Sequence, residues 1–137
     1  QWNTLTDPVR TFDRIRSQNI KVGLGLNPDD AFEGATRLFQ DIDLLVLRGV
    51  YPGFGGQVIQ PGTLEKIACA RHLADISGHP ISIAVEGGVK PENTVQLMEA
   101  GADLLIMGTA LFESVDMAGM IKSIRGSIAG SPRHSQS

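Results

Sequence analysis

Apolar and polar positions along this chain alternate between two periods. Short apolar runs at residues 20–26, 44–47, 81–86 and 104–107 predict strands, and the unbroken Leu44-Leu45-Val46-Leu47 predicts one covered on both faces. Between them, apolar residues recur at helical spacing. Val9, Phe12 and Ile15 follow Thr6-Asp7-Pro8, a capping side chain with proline in the first turn. Phe32, Ala35 and Phe39 predict a helix over 31–40, and Leu64, Ile67, Ala70 and Leu73 predict one over 61–77. Val95 and Met98 lie on a helix opened by Pro91 and stopped at Gly101. Met117, Met120, Ile121, Ile124 and Ile128 form the stripe of a last helix. The predicted order is one helix and then four strand–helix units, an α/β alternation that implies a parallel sheet. Residues 1–130 form the predicted domain, and the polar residues 131–137 a flexible tail.

Three predicted strands end in glycine. Val50-Tyr51-Pro52-Gly53-Phe54-Gly55-Gly56-Gln57 follows the second strand, Glu86-Gly87-Gly88 closes the third, and Gly108-Thr109-Ala110 follows the fourth. Ligands of parallel α/β folds sit beyond the carboxyl ends of the strands. Glycine there lets backbone N–H groups approach an anion that side chains would otherwise hold away. The three ends together point to a phosphate held by amides at the rim of the sheet.

Composition narrows this picture. The chain has 137 residues, 42% of them hydrophobic, enough for one domain with a modest core. A net charge of -3 argues against nucleic acid as a partner, and the absence of a long apolar run argues against a membrane span. A single cysteine, Cys69, excludes an internal disulfide framework and fits a reducing cytoplasm. Beginning at Gln1, the chain is expected to be a piece of a longer polypeptide.

These residues resemble the C-terminal half of the ribulose-phosphate 3-epimerase family. The match runs in one order from Gly23-Leu24-Gly25-Leu26-Asn27-Pro28 through Pro52-Gly53-Phe54-Gly55-Gly56-Gln57 and Glu86-Gly87-Gly88 to Ala100-Gly101-Ala102-Asp103 and Gly108-Thr109-Ala110. The resemblance implies the C-terminal half of a (β/α)8 TIM barrel, with four parallel strands each followed by a helix. It implies interconversion of D-ribulose 5-phosphate and D-xylulose 5-phosphate by two acidic residues acting on opposite faces of C3. A divalent metal, usually zinc, holds the enediolate in that family. Carried over by position, Gly53, Phe54, Gly55 and Gly56 match the loop that closes over the substrate, and Gly87, Gly88, Gly108 and Thr109 match the phosphate-contacting turns. Glu86 stands at the place of the second catalytic aspartate, which is also a metal ligand. A hexulose (allulose) 6-phosphate 3-epimerase and a non-catalytic sugar-phosphate-binding homologue are the alternatives.

The departures are as informative. Glu86 is one methylene longer than the family's aspartate, and Arg48 stands where an apolar methionine is common. The sharper expectation for these two is an ion pair across adjoining strands. None of His72, His79 or His134 stands at a matching place, so the chain supplies at most one of four expected metal ligands. The missing N-terminal half, or a second copy, is the expected partner. Lys90 reads as a solvated residue at a helix start, Asp103 as a strand-start residue, and Cys69 and the methionines as packing residues.

Overall fold

A computed structural model describes residues 1–32 and 34–130 of the chain; the predicted tail at 131–137 lies outside the described residues. Four parallel strands, β1 (Gly23–Leu26), β2 (Leu44–Arg48), β3 (Ser82–Glu86) and β4 (Leu104–Ile106), form one sheet in the order β1-β2-β3-β4. Sequential order with every pair parallel is the pattern of a barrel wall rather than of a doubly wound sheet, in which the order reverses. Successive side chains point to opposite faces of a strand. Leu24 and Leu26, Leu45 and Leu47, and Ile83 and Val85 are therefore buried together against Phe39, Ile67, Ala70 and Leu97 in one core. The other face carries Gly25, Val46, Ala84 and Leu104 in one register row, and the row above it ends the strands with Arg48, Glu86 and Ile106. This second face is only partly covered, and Leu104 and Ile106 are about half exposed.

The first helix, α1 (Pro8–Arg16), starts as its sequence requires. Asp7 accepts a hydrogen bond from the Arg10 amide at 3.0 Å, and Pro8 occupies the first turn. Its inward face is narrower than the periodicity predicts: Phe12 is buried and Val9 is exposed. Next along the chain come α2 (Thr63–Ser77) after β2, α3 (Thr94–Ala100) after β3, and α4 (Thr109–Phe112) and α5 (Met117–Ala129) after β4.

Three expectations are corrected. The segment after β1 is no α-helix but a 3-10 helix, Thr36–Asp41, preceded by a turn in which the Ala35 amide donates to Phe32 at 2.8 Å. Gly34 interrupts the segment, and a Cβ there would lie 2.7 Å from the Trp2 ring, so packing against Trp2 keeps a poor helix former in place. The strand predicted over 20–26 begins only at Gly23, with Ile20 exposed. Cys69 is exposed, because α2 buries the stripe Ile67, Ala70 and Ala74 and position 69 falls off it. The methionines divide: Met98 is buried, whereas Met117 is exposed on α5, which buries no residue fully.

The amino ends of the strands are fastened by two aspartates. Asp43, just before β2, accepts from the Val22 amide at 2.7 Å, and Asp103, just before β4, accepts from the Ile83 amide at 2.8 Å. Asp103 also pairs with Arg71 of α2. This is the strand-start role expected of Asp103.

Candidate active site at the carboxyl ends of the strands

The segments leaving β2, β3 and β4 enclose one open cleft of about 550 Å³. All nine residues singled out by the sequence, Gly53, Phe54, Gly55, Gly56, Glu86, Gly87, Gly88, Gly108 and Thr109, line it, and Arg48 and Lys90 join them. The three glycine-bearing ends, at residues 50–57, 86–88 and 108–110, thus converge on a single concavity rather than on separate surfaces.

The glycines do different jobs. Gly87 and Gly88 have φ of 86° and 70°, the left-handed region that side chains rarely adopt. A Cβ on Gly87 would lie 2.5 Å from Val50, and one on Gly88 would lie 2.7 Å from the Ile59 amide nitrogen. These two positions are glycine because the loop after β2 packs directly on the turn after β3. Gly108 differs: a Cβ there would meet no protein atom within 4 Å. Packing does not require glycine at 108, and a side chain there would project into open space beside the cleft.

Polar side chains fix the rim. Gln57 donates through Nε2 to the carbonyls of Tyr51 at 2.9 Å and Phe54 at 2.8 Å, closing the loop upon itself. The Tyr51 hydroxyl donates to Asp29 Oδ1 at 2.6 Å, tying that loop to the turn after β1. The carboxylate acceptor, foremost by its hydrogen bond, raises the phenol above its usual value. Lys66 on α2 donates to the carbonyls of Asn27, Pro28 and Asp30 at 2.6–2.8 Å. Desolvation lowers its pKa, with the charges of Asp30 and Asp29 opposing. Asn93 accepts from the Lys90 amide at 2.9 Å and donates to the Gly88 carbonyl at 2.9 Å, so the second glycine turn has its own brace. Thr109 Oγ1 lies 2.9 Å from where a Cβ on Gly55 would stand, bringing the first and third rim segments together.

Sequence reasoning did not assign Tyr51, Asp29, Lys66 or Asn93. Of these only Asn93 carried a local signal, an amide side chain three residues past the start of the turn that it caps. The others act across 22 or more residues.

Arg48 and Glu86 are register partners at the ends of β2 and β3, facing the same cleft as expected. The expected ion pair is not formed: among the described residues the basic–acidic contacts are those of Arg71 with Asp75 and with Asp103. Both side chains reach solvent in the open cleft, where hydration competes with a direct contact. Lys90 is exposed at the start of its 3-10 turn, as expected, though it also borders the cleft.

No group of three or more histidine, cysteine or carboxylate side chains among the described residues is arranged to hold a metal ion. His72 sits on the outer helix α2, and His79 lies at the amino end of β3, opposite the cleft. His134 is outside the described residues. The cleft brings together two carboxylates, Glu86 and Glu113, and no histidine or cysteine, so these residues alone do not fit a metal centre.

Parallel strands in sequential order with an open cleft at their carboxyl ends define half of a (β/α)8 barrel. A solved 3-hexulose-6-phosphate synthase shares this fold, with a TM-score of 0.55 and 22% identity over 87% of this chain and 55% of that one. The sequence profile of the ribulose-phosphate 3 epimerase family matches residues 2–112, and the chain belongs to this family. The ribulose-phosphate 3-epimerase of Bacillus subtilis is 40% identical over 119 residues, covering 86% of this chain and 55% of that protein. The enzyme of the same name from Escherichia coli K12 is 36% identical over 120 residues, 88% of this chain and 53% of that one. The chain therefore spans about half the length of these relatives.

Proposed function

We propose that this chain is the phosphate-binding half of an enzyme that interconverts D-ribulose 5-phosphate and D-xylulose 5-phosphate. The observation that carries the reading is the convergence of three glycine-bearing strand ends on one cleft with Glu86 in its wall. Amides at Gly55, Gly87, Gly88 and Gly108 approach a phosphate dianion without side chains intervening, and Thr109 offers a hydroxyl. Glu86, at the end of a strand and partly buried, transfers a proton at C3, beside the C2 carbonyl. Removal of the C3 proton leaves an enediolate, and delivery of a different proton from the opposite face inverts that carbon. The acid for the other face belongs to the four strands that complete the barrel, as the N-terminal part of a longer polypeptide or on a second chain. A divalent metal, as the resemblance implies, would have Glu86 as its ligand from this chain, would take its other ligands from that same half, and would supply Lewis-acid chemistry there. No described helix is long and apolar enough to cross a membrane, and the lone Cys69 suits a reducing cytoplasm.

The test joins this chain to the N-terminal half of the Bacillus subtilis relative and follows ribulose 5-phosphate in deuterated solvent. Deuterium is expected to enter C3 as xylulose 5-phosphate accumulates. Glu86→Gln is expected to slow both by about 10²–10⁴-fold, the usual worth of a positioned acid–base group. A folded hybrid that binds the sugar phosphate and exchanges no C3 proton would identify a binding homologue instead.

A further inference from the structure

Arg48 is the side chain this reading leaves unused. It is the last residue of β2, half-buried, and its row continues into Glu86 and Ile106. The row below it, Val46, Ala84 and Leu104, is wholly apolar. Arg48 makes no side-chain hydrogen bond or ion pair with any described residue, although a carboxylate stands beside it in register. Its donors are hydrated in the open cleft and can exchange that water for an anion brought by a ligand. Glu86 does not take them up here. The five donors of the guanidinium form a rigid fork suited to two oxygens of one planar anionic group.

The phosphate-holding glycines lie on the rim segments, and Arg48 lies within the same cleft at the strand end. A ligand with its phosphate on the rim extends its other end over the row that Arg48 begins. We propose that Arg48 is a specificity-determining residue, holding a second oxyanion of a phosphorylated ligand at the end remote from the phosphate. The inference rests on the sugar-phosphate reading of the cleft and sharpens it: the preferred ligand is anionic at both ends. That second oxyanion is the carboxylate of a phosphorylated sugar acid or the enediolate of a ketose phosphate.

Three probes test it on the full chain by calorimetry: inorganic phosphate, 4-phospho-D-erythronate, which adds a carboxylate, and the hydroxamate of that acid, which mimics an enediolate. At least one two-ended ligand is expected to bind more tightly than phosphate by about ten- to a hundredfold, the range of a charged hydrogen-bonded contact. Arg48→Met is expected to erase that margin while leaving inorganic phosphate within about twofold, and Arg48→Lys to keep part of it. A larger margin for the hydroxamate assigns the site to an enediolate, and one for the carboxylate to a sugar acid. A margin that survives Arg48→Met overturns the inference and leaves the phosphate reading intact. Equal loss of all three ligands overturns it too, by making Arg48 part of the phosphate site. Failure of the unaltered chain to bind inorganic phosphate removes the underlying reading and this inference with it.

Discussion

Tyr51 is the single tyrosine of the chain, so its ionisation is seen without interference in the phenolate absorbance. Its hydroxyl donates to Asp29, and that bond raises the phenol above 10.0. A group whose folded pKa exceeds its unfolded value lends stability below the unfolded value, and this is lost as pH rises through the folded one. The tether between the loop after β2 and the turn after β1 is therefore intact at neutral pH and loosens only above about pH 10. The absorbance titration is expected to have its midpoint above 10, and Asp29→Asn to bring it back toward the ordinary phenol value in the folded chain. A midpoint unmoved by that substitution would show that the bond does not persist in solution. The contact was not legible in the sequence because it spans 22 residues and leaves no periodic trace. The same holds for Lys66, whose three carbonyl acceptors lie 36–39 residues away. The place of Glu86 at a strand end was legible because it ends an apolar run and precedes two glycines, while its candidate role came from the family resemblance.

Each rim segment is an element with its own reason for being glycine-rich, and the reasons separate by substitution. Gly88 combines a positive φ with an Ile59 backbone nitrogen 2.7 Å from any added Cβ. Gly88→Ala is expected to cost roughly 2–4 kcal/mol in urea unfolding, from strain and overpacking together. Gly108 meets nothing within 4 Å, so Gly108→Ala is expected to stay within about 1 kcal/mol of the parent. Under the phosphate reading it still weakens inorganic phosphate binding, because the methyl stands where the anion approaches. Equal loss of stability in the two variants would show that packing alone explains the glycines. The strands themselves were readable from continuous apolar runs, with boundaries trimmed at β1. The 3-10 segment before β2 was not, since Phe32, Ala35 and Phe39 keep helical spacing while Gly34 and the Trp2 contact dictate a tighter path.

At the scale of the whole molecule, the sheet is finished on one side and open on the other. β1 and β4 are outer strands of the four, and the face bearing Leu104 and Ile106 leaves about half of each residue exposed. Unpaired strand edges beside an apolar surface recruit further chains. The chain on its own is expected to self-associate in sedimentation as concentration rises, and to do so less when a complementary half-barrel is supplied. A monodisperse monomer at high concentration would contradict this.

Asp43 and Asp103 give that architecture a direction. Each clasps a neighbouring strand's amide at the amino end, on β1–β2 and β3–β4 in turn, so the sheet resembles a hand fan riveted at its handle. Among the described residues no aspartate clasps a strand amide at the opposite margin, where Tyr51 and Lys66 tie the segments after the strands together instead. Under the sugar-phosphate reading, ligand preference can thus diverge through changes in those loops while the strand alignment beneath them stays fixed.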